Sequence, residues 1–122
     1  MGSPNQVTGL VYIYVDGKLL KSKEGAKLTN ITGVSRAAVT GHRVYGFSQK
    51  VEVPTVECKL ADTADLSLAE LGAISDSTVT FETDTGKRYI LRNAWCSNAI
   101  DLTGGEGDVD VTFMAMACEE DK

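Results

Sequence analysis

Apolar and polar positions alternate with a period of two along most of this chain, which predicts strands. Leu10–Val15, rich in valine and tyrosine, reads as a strand. Asp16-Gly17 reads as a tight turn, and Lys18–Ser22 as a lysine-studded returning edge strand. Lys27–Thr32 and Phe47–Val53 follow as strands. In the second, Ser48, Lys50 and Glu52 face one way, and Gln49, Val51 and Val53 the other. Pro54 has no amide hydrogen for a ladder, so it marks a strand end or bulge before a strand at Thr55–Leu60. Thr78–Asp84 places Val79 and Phe81 on one face and Thr78, Thr80, Glu82 and Asp84 on the other. Thr85-Gly86 turns the chain back through Lys87–Arg92, the best hairpin pattern in the sequence. Ala94–Ile100 is a further strand and Leu102–Asp108 a glycine-rich loop. Asp108–Ala117 is a long closing strand with Val109, Val111, Phe113 and Ala115 on one face, and Glu119–Lys122 is expected to fray.

The period changes once. Across Asp62–Ser75 the apolar positions Leu66, Leu68, Ala69, Leu71, Ala73 and Ile74 form one stripe of a helix, with Asp65 as its N-cap and Gly72 weakening its last turn. The helix is expected to pack its leucines and Ile74 against strand residues such as Val79 and Phe81. Strands with one helix predict a mainly β fold, a β-sandwich or barrel with one packed helix, in a single domain over residues 1–122.

One stretch fits no element. Gly33 to Gly46 is longer than the usual two to five residues of a hairpin connection. It carries Arg36 and Arg43 but no acid, and Val34, Ala37, Ala38, Val39, Val44 and Tyr45 give it more apolar surface than a solvated loop needs. It reads as a protruding arm that packs on something outside its own domain; a mobile loop is the other reading. Its candidate contact residues are Val34, Arg36, Val39, His42, Arg43, Val44 and Tyr45.

Charge adds a second asymmetry. The net charge of −5 conceals four acids and eight bases in residues 1–61, against thirteen acids and four bases in residues 62–122. Such poles can draw copies together head to tail. An acidic chain without a basic, aromatic patch does not look like a nucleic-acid reader. The longest apolar runs, Leu10–Val15 and Phe113–Cys118, are too short to span a membrane, and residues 1–6 lack the signal-peptide pattern, so synthesis in the cytoplasm is expected without a membrane anchor.

Candidate chemistry is sparse. Cys58, Cys96 and Cys118 are widely spaced and His42 is the single histidine, so zinc is not expected and the thiols read as buried and free. Asp84-Thr85-Gly86 matches the triplet of aspartic proteases, but it stands at a polar hairpin tip, where a turn is the simpler reading. Gly104-Gly105-Glu106-Gly107 lacks the lysine and helix of a phosphate loop. Asn30-Ile31-Thr32 would be a glycosylation acceptor only after secretion. Trp95 reads as a core or interface anchor. No catalytic residue, metal or cofactor is expected.

Several blocks taken together resemble the tail tube proteins of contractile-tailed, Mu-like phages and prophages. They are Val11-Tyr12-Ile13-Tyr14-Val15-Asp16-Gly17-Lys18, the arm with Val44-Tyr45-Gly46-Phe47 and the Pro54 strand, Asp76–Phe81, and Gly86-Lys87-Arg88-Tyr89-Ile90-Leu91-Arg92-Asn93-Ala94-Trp95. The order and spacing of the blocks, over residues 7–120, carry the likeness. Met114-Ala115-Met116-Ala117 departs from the polar strand end expected there. The resemblance implies a virion subunit without enzymatic activity, stacked as hexameric rings into a tube inside a contractile sheath. Its partners would be its own copies and sheath, baseplate and tail terminator proteins. DNA would pass through the lumen without specific binding. Ser48, Lys50, Glu52, Thr80, Glu82 and Asp84 are the candidate lumen residues. A ring protein of a contractile secretion or bacteriocin machine, or a ligand-binding β-sandwich, are the alternatives.

Overall fold

The computed structural model describes residues 5, 9–23, 25–61, 63, 66–100, 102–103 and 107–121. The strands are β1 (Val11–Val15), β2 (Lys18–Leu20), β3 (Lys27–Thr29), β4 (Val34–Thr40), β5 (Val44–Val51) and β6 (Thr55–Ala61). After a short helix α1 (Leu68–Gly72) come β7 (Ser77–Thr83), β8 (Arg88–Cys96), β9 (Leu102–Thr103), β10 (Asp108–Met114) and β11 (Ala117–Asp121). The expected mainly β architecture with one helix is found.

Apart from the hairpin β4–β5, the strands form one sheet in the order β2-β1-β7-β8-β10-β6-β3, with β11 paired to β8 and β9 to β10. The sheet folds over itself along β8. The first part of that strand pairs with β7 and β11, and its end, Trp95 and Cys96, pairs with Met114 and Phe113 of β10. The chain leaving β2 then meets β6, through the Lys23 amide on the Lys59 carbonyl and the Ala61 amide on the Lys21 carbonyl, and the sheet curls toward a barrel. Each strand sends its alternate side chains inward. Ile13, Val56, Leu60, Val79, Phe81, Leu91, Val109, Val111 and Phe113 meet there, all 6% exposed or less. Val109, Val111, Phe113 and Ala115 share the buried face, as the alternation predicts.

Several boundaries differ from expectation. The helix covers only Leu68–Gly72, because Ser67 accepts a hydrogen bond from the Glu70 amide (3.3 Å) and Gly72 closes the last turn. Asp65, the expected cap, lies outside the described residues. Leu71 is buried, and Leu66, Leu68 and Ile74 pack on the core cluster that holds Val79 and Phe81. The strand expected at Ala94–Ile100 is the end of β8, which stops at Cys96. Beyond it the Asn98 carboxamide accepts from the Thr112 amide (2.9 Å) and donates to the Asp110 carbonyl (2.9 Å), and so replaces ladder bonds.

The closing strand breaks at Ala115–Met116, where the Ala115 amide turns to the Pro54 carbonyl and the Met116 amide to Arg92. The acidic tail does not fray through Asp121. Residues 117–121 are β11, held to β8 by its ladder and by Arg88–Asp121 (2.6 Å) and Arg92–Glu119 (3.1 Å) ion pairs. Of the three free cysteines only Cys58 is buried; Cys96 and Cys118 are half-buried.

The last difference is the arm. Lys27–Thr32 shortens to β3, and Gly33–Gly46 is not a long connection. It is most of a regular hairpin, whose second strand β5 includes Phe47 to Val51 and whose turn is the short Gly41–Arg43 segment. Ser48 and Lys50 therefore belong to the arm. The hairpin continues β3 and β6 outward past a kink. Lys27 opposes Glu57, but Val34 opposes Val51, a shift of one residue across Asn30–Gly33 and Glu52–Pro54. The Asn30 carboxamide on the Val53 carbonyl (2.9 Å) and the Glu52 amide on the Gly33 carbonyl (2.9 Å) fasten the kink.

Candidate assembly surface

The arm is a two-stranded sheet on its own. Residues directly opposite in an antiparallel pair share a face. One face therefore carries Val34, Arg36, Ala38 and Thr40 with Val51, Gln49, Phe47 and Val44. The other carries Ser35, Ala37 and Val39 with Lys50, Ser48 and Gly46. The first face is apolar, and its large side chains are bare: Val44 is 69% exposed, Phe47 59% and Val51 79%. The second face is polar and small. Tyr45 is the extra residue of a bulge opposite Val39 and Thr40.

The tip carries Arg43 and is joined by side-chain contacts. The Tyr45 hydroxyl and the His42 Nδ1 lie 2.9 Å apart, and the Arg43 guanidinium stands 5.7 Å from the Tyr45 ring centre. Gly41 lies under that ring, and a Cβ there would meet Tyr45 Cε2 at 2.7 Å, so any larger residue would displace the ring. On the apolar face the Arg36 guanidinium lies 5.4 Å from the Phe47 ring centre and donates from Nε to Gln49 Oε1 (3.2 Å). Among the described residues neither arginine makes an ion pair.

The seven predicted arm residues thus divide three ways. Val34, Arg36 and Val44 share the apolar face, Val39 lies on the other, and His42, Arg43 and Tyr45 make the tip. Phe47 and Val51 were not among them, although both are large apolar side chains exposed on the apolar face (59% and 79%). Their signal was the alternation itself, which runs from Val44 to Val51 without interruption by a turn residue other than Gly46.

The predicted lumen residues lie in four places. Ser48 and Lys50 are on the polar face of the arm. Glu52 is at the kink, accepts from the Ser35 hydroxyl (3.0 Å) and stands 4.0 Å from Lys50. Thr80 and Glu82 point outward from β7, on a sheet face that also carries Tyr12, Tyr14, Arg88, Ile90, Glu119 and Asp121 in two cross-strand rows. Asp84 is used differently. Its carboxylate accepts from the Gly9 (3.3 Å) and Leu10 (3.2 Å) amides and ties the start of β1 to the β7–β8 turn. A half-exposed carboxylate holding two amides is a structural clamp.

Among the described residues strand β11 pairs with β8 on one side only. On its other side lies a groove of about 230 Å³ lined by Ile31, Val51, Pro54, Met116 and Cys118. Met116 is 73% exposed there. A free strand edge beside exposed apolar surface is a template for a further strand.

The fold itself defines a class, the mainly β tail-tube fold. It is shared with the cryo-EM structure of the anti-feeding prophage cap, a tube-terminating cap (TM-score 0.63, 11% identity, 92% of this chain and 87% of that one). It is shared as well with Hcp1 from Flavobacterium johnsoniae (TM-score 0.58, 13% identity, 92% and 94%). Within that class the chain belongs to the phage tail tube protein family, whose model matches residues 4–120. It is 40% identical over 111 residues to the tail tube protein of Escherichia phage Mu, covering 91% of this chain and 92% of that one. It is 35% identical over 114 residues to the Mu-like prophage FluMu tail tube protein of Haemophilus influenzae, covering 93% and 95%. The family is structural, and its members are virion components.

Proposed function

We propose that copies of this chain join into hexameric rings that stack as a conduit for DNA inside a contractile sheath, with baseplate and tail terminator proteins at the ends and no enzymatic activity. The observation that carries this reading is the arm. A lone two-stranded hairpin is marginal in water, and this one leaves Val44, Phe47 and Val51 bare, a cost that a partner would relieve. The open edge of β11 supplies a place where a neighbouring strand would add to the sheet.

In this reading the lumen is lined by the outward face of β7, β8 and β11 together with the polar face of the arm, so Thr80, Glu82, Ser48 and Lys50 face the conduit and Asp84 serves the fold. Glu82, Glu119 and Asp121 stand among Arg88 and Arg92, and Lys50 faces Glu52. A surface so balanced retains few phosphates by counterion release, which suits a passage through which DNA must slide. Negative-stain microscopy at rising concentration should show rings or tubes, and filter binding at moderate salt should show no duplex DNA retention. Persistent monomers in the presence of the arm, or tight and salt-sensitive DNA binding, would count against the reading.

A further inference from the structure

The apolar face of the arm needs a cover, and two grooves with apolar lining are candidates, one at the root of the arm and one on the body. The one beside β11 has Glu52 at its rim, a carboxylate already engaged by Ser35 and close to Lys50. The other lies between α1 and the β1–β2 hairpin. Its floor is Val15, Leu20, Leu66, Leu71 and Ile74, and its volume is about 200 Å³. A cavity of about 150 Å³ accepts benzene, so this groove has room for a phenyl ring. No residue of the arm lines it, so the arm of the same subunit does not fill it.

Its rim carries Asp16, Glu70 and Lys18 and is net negative. Asp16 accepts from the Thr78 amide (2.9 Å), whereas Glu70 is exposed and makes no ion pair among the described residues. The arm presents the complement: an exposed ring, Phe47, with a guanidinium, Arg36, standing over it and lacking a carboxylate.

Resting on the reading of the arm as an assembly element, we infer that the α1 groove is the socket for the arm of a second copy. Phe47 enters between Leu66 and Ile74, and Arg36 pairs with Glu70. The contact uses two different surfaces of each subunit, so it propagates from copy to copy. The ring supplies most of the affinity by burial. The charge pair supplies register, because a like-charge juxtaposition at the same place is repulsive.

A charge swap tests it in the full-length chain. Arg36→Glu and Glu70→Lys are both exposed changes, and circular dichroism should report native folds. Each alone should raise the concentration at which light scattering detects assembly at least about ten-fold, and the double variant should recover most of that loss. An independent readout places a photo-crosslinking phenylalanine analogue at position 47. Mass spectrometry of the assembled protein should find cross-links to residues 66–74. Additive loss in the double variant, or cross-links only to other surfaces, overturns the socket. If replacing residues 34–51 by Asn-Gly abolishes assembly while Glu70→Lys has no effect, the arm reading stands and the socket falls. If neither change matters, both fall.

Discussion

The body and the arm are written in the same alphabet and put to opposite use. β10 reads Asp-Val-Asp-Val-Thr-Phe-Met and buries Val109, Val111 and Phe113 to 1% exposure or less. β5 reads Val-Tyr-Gly-Phe-Ser-Gln-Lys-Val with a comparable apolar share and buries nothing. Alternation fixes the pleat and decides which side chains share a face, but burial depends on a second layer. The body has that layer, since its sheet folds onto itself along β8. The arm leaves the body at the Asn30–Gly33 kink before any layer can cover it. Charge follows the same division. The body closes its ion pairs internally, as in Arg88–Asp121, Arg92–Glu119 and Lys23–Asp108. Among the described residues the arm's Arg36 and Arg43 make no ion pair.

The largest effect that separates the two regions is a truncation in each. Phe113 is fully buried, and Phe113→Ala should cost about 3–5 kcal/mol, a large part of a small domain's stability. Urea unfolding would read that loss, and a change below about 1 kcal/mol would remove Phe113 from the centre of the core. The mirror experiment, Phe47→Asp on the arm, should leave the monomer's unfolding midpoint unchanged and raise the concentration for assembly by about ten-fold or more. A fall in monomer stability as large as that of Phe113→Ala would show that the arm is held by its own body, and the contrast would fail.

A smaller and pH-dependent effect belongs to the body alone. Burial first, then the neighbouring Cys96 and Asp110, pushes the Cys58 thiol up from 9.0 to about 12. Its proton is held more tightly in the folded chain than in the unfolded one. The associated stability is therefore complete below about pH 9 and is lost as pH rises from there toward 12. Cys58→Val should flatten that part of the pH–stability curve. In native protein at pH 8 a thiol reagent should reach Cys96 and Cys118 before Cys58. Equal rates for all three would place Cys58 at the surface.

Much of this was legible in the sequence. The strands from Leu10 to Leu20 and from Thr78 to Arg92 follow from alternation around Asp16-Gly17 and Thr85-Gly86. The buried face of β10 follows from its valines. The arm was visible as apolar surface without an acid, but its form was not. Glycine at 33, 41 and 46 reads locally as loop, whereas the hairpin uses Gly46 at φ 149° in its bulge and seats the Tyr45 ring over Gly41. The α1 stripe was longer than the helix because Leu66 and Ile74 reach the core from flanking turns. β11 could not be read at all. Three consecutive acids look like a solvated tail until Arg88 and Arg92 are brought opposite them by β8, some thirty residues earlier in the chain.

The smallest expected effect concerns that same strand. Arg92 and Glu119 are each about half exposed, and the pair makes two hydrogen bonds, from Nε (3.2 Å) and from an Nη (3.1 Å), to one carboxylate oxygen. Exposed pairs of this kind contribute about 0–1 kcal/mol, because water already solvates both groups and salt screens their attraction. Glu119→Gln should therefore shift the monomer's stability by no more than this amount, and the shift should shrink at high salt. The comparison becomes sharper in the assembled protein. If the edge of β11 accepts a neighbouring strand, the pair still faces the conduit but gains side chains along its flank, which shield it partly from water and strengthen the same interaction. The variant's penalty on assembly, measured by the concentration at which tubes form, should then exceed its penalty on the monomer and depend less on salt. Equal penalties with equal salt dependence in both states would mean that β11 keeps its open edge in the tube, and that the neighbouring chain attaches elsewhere.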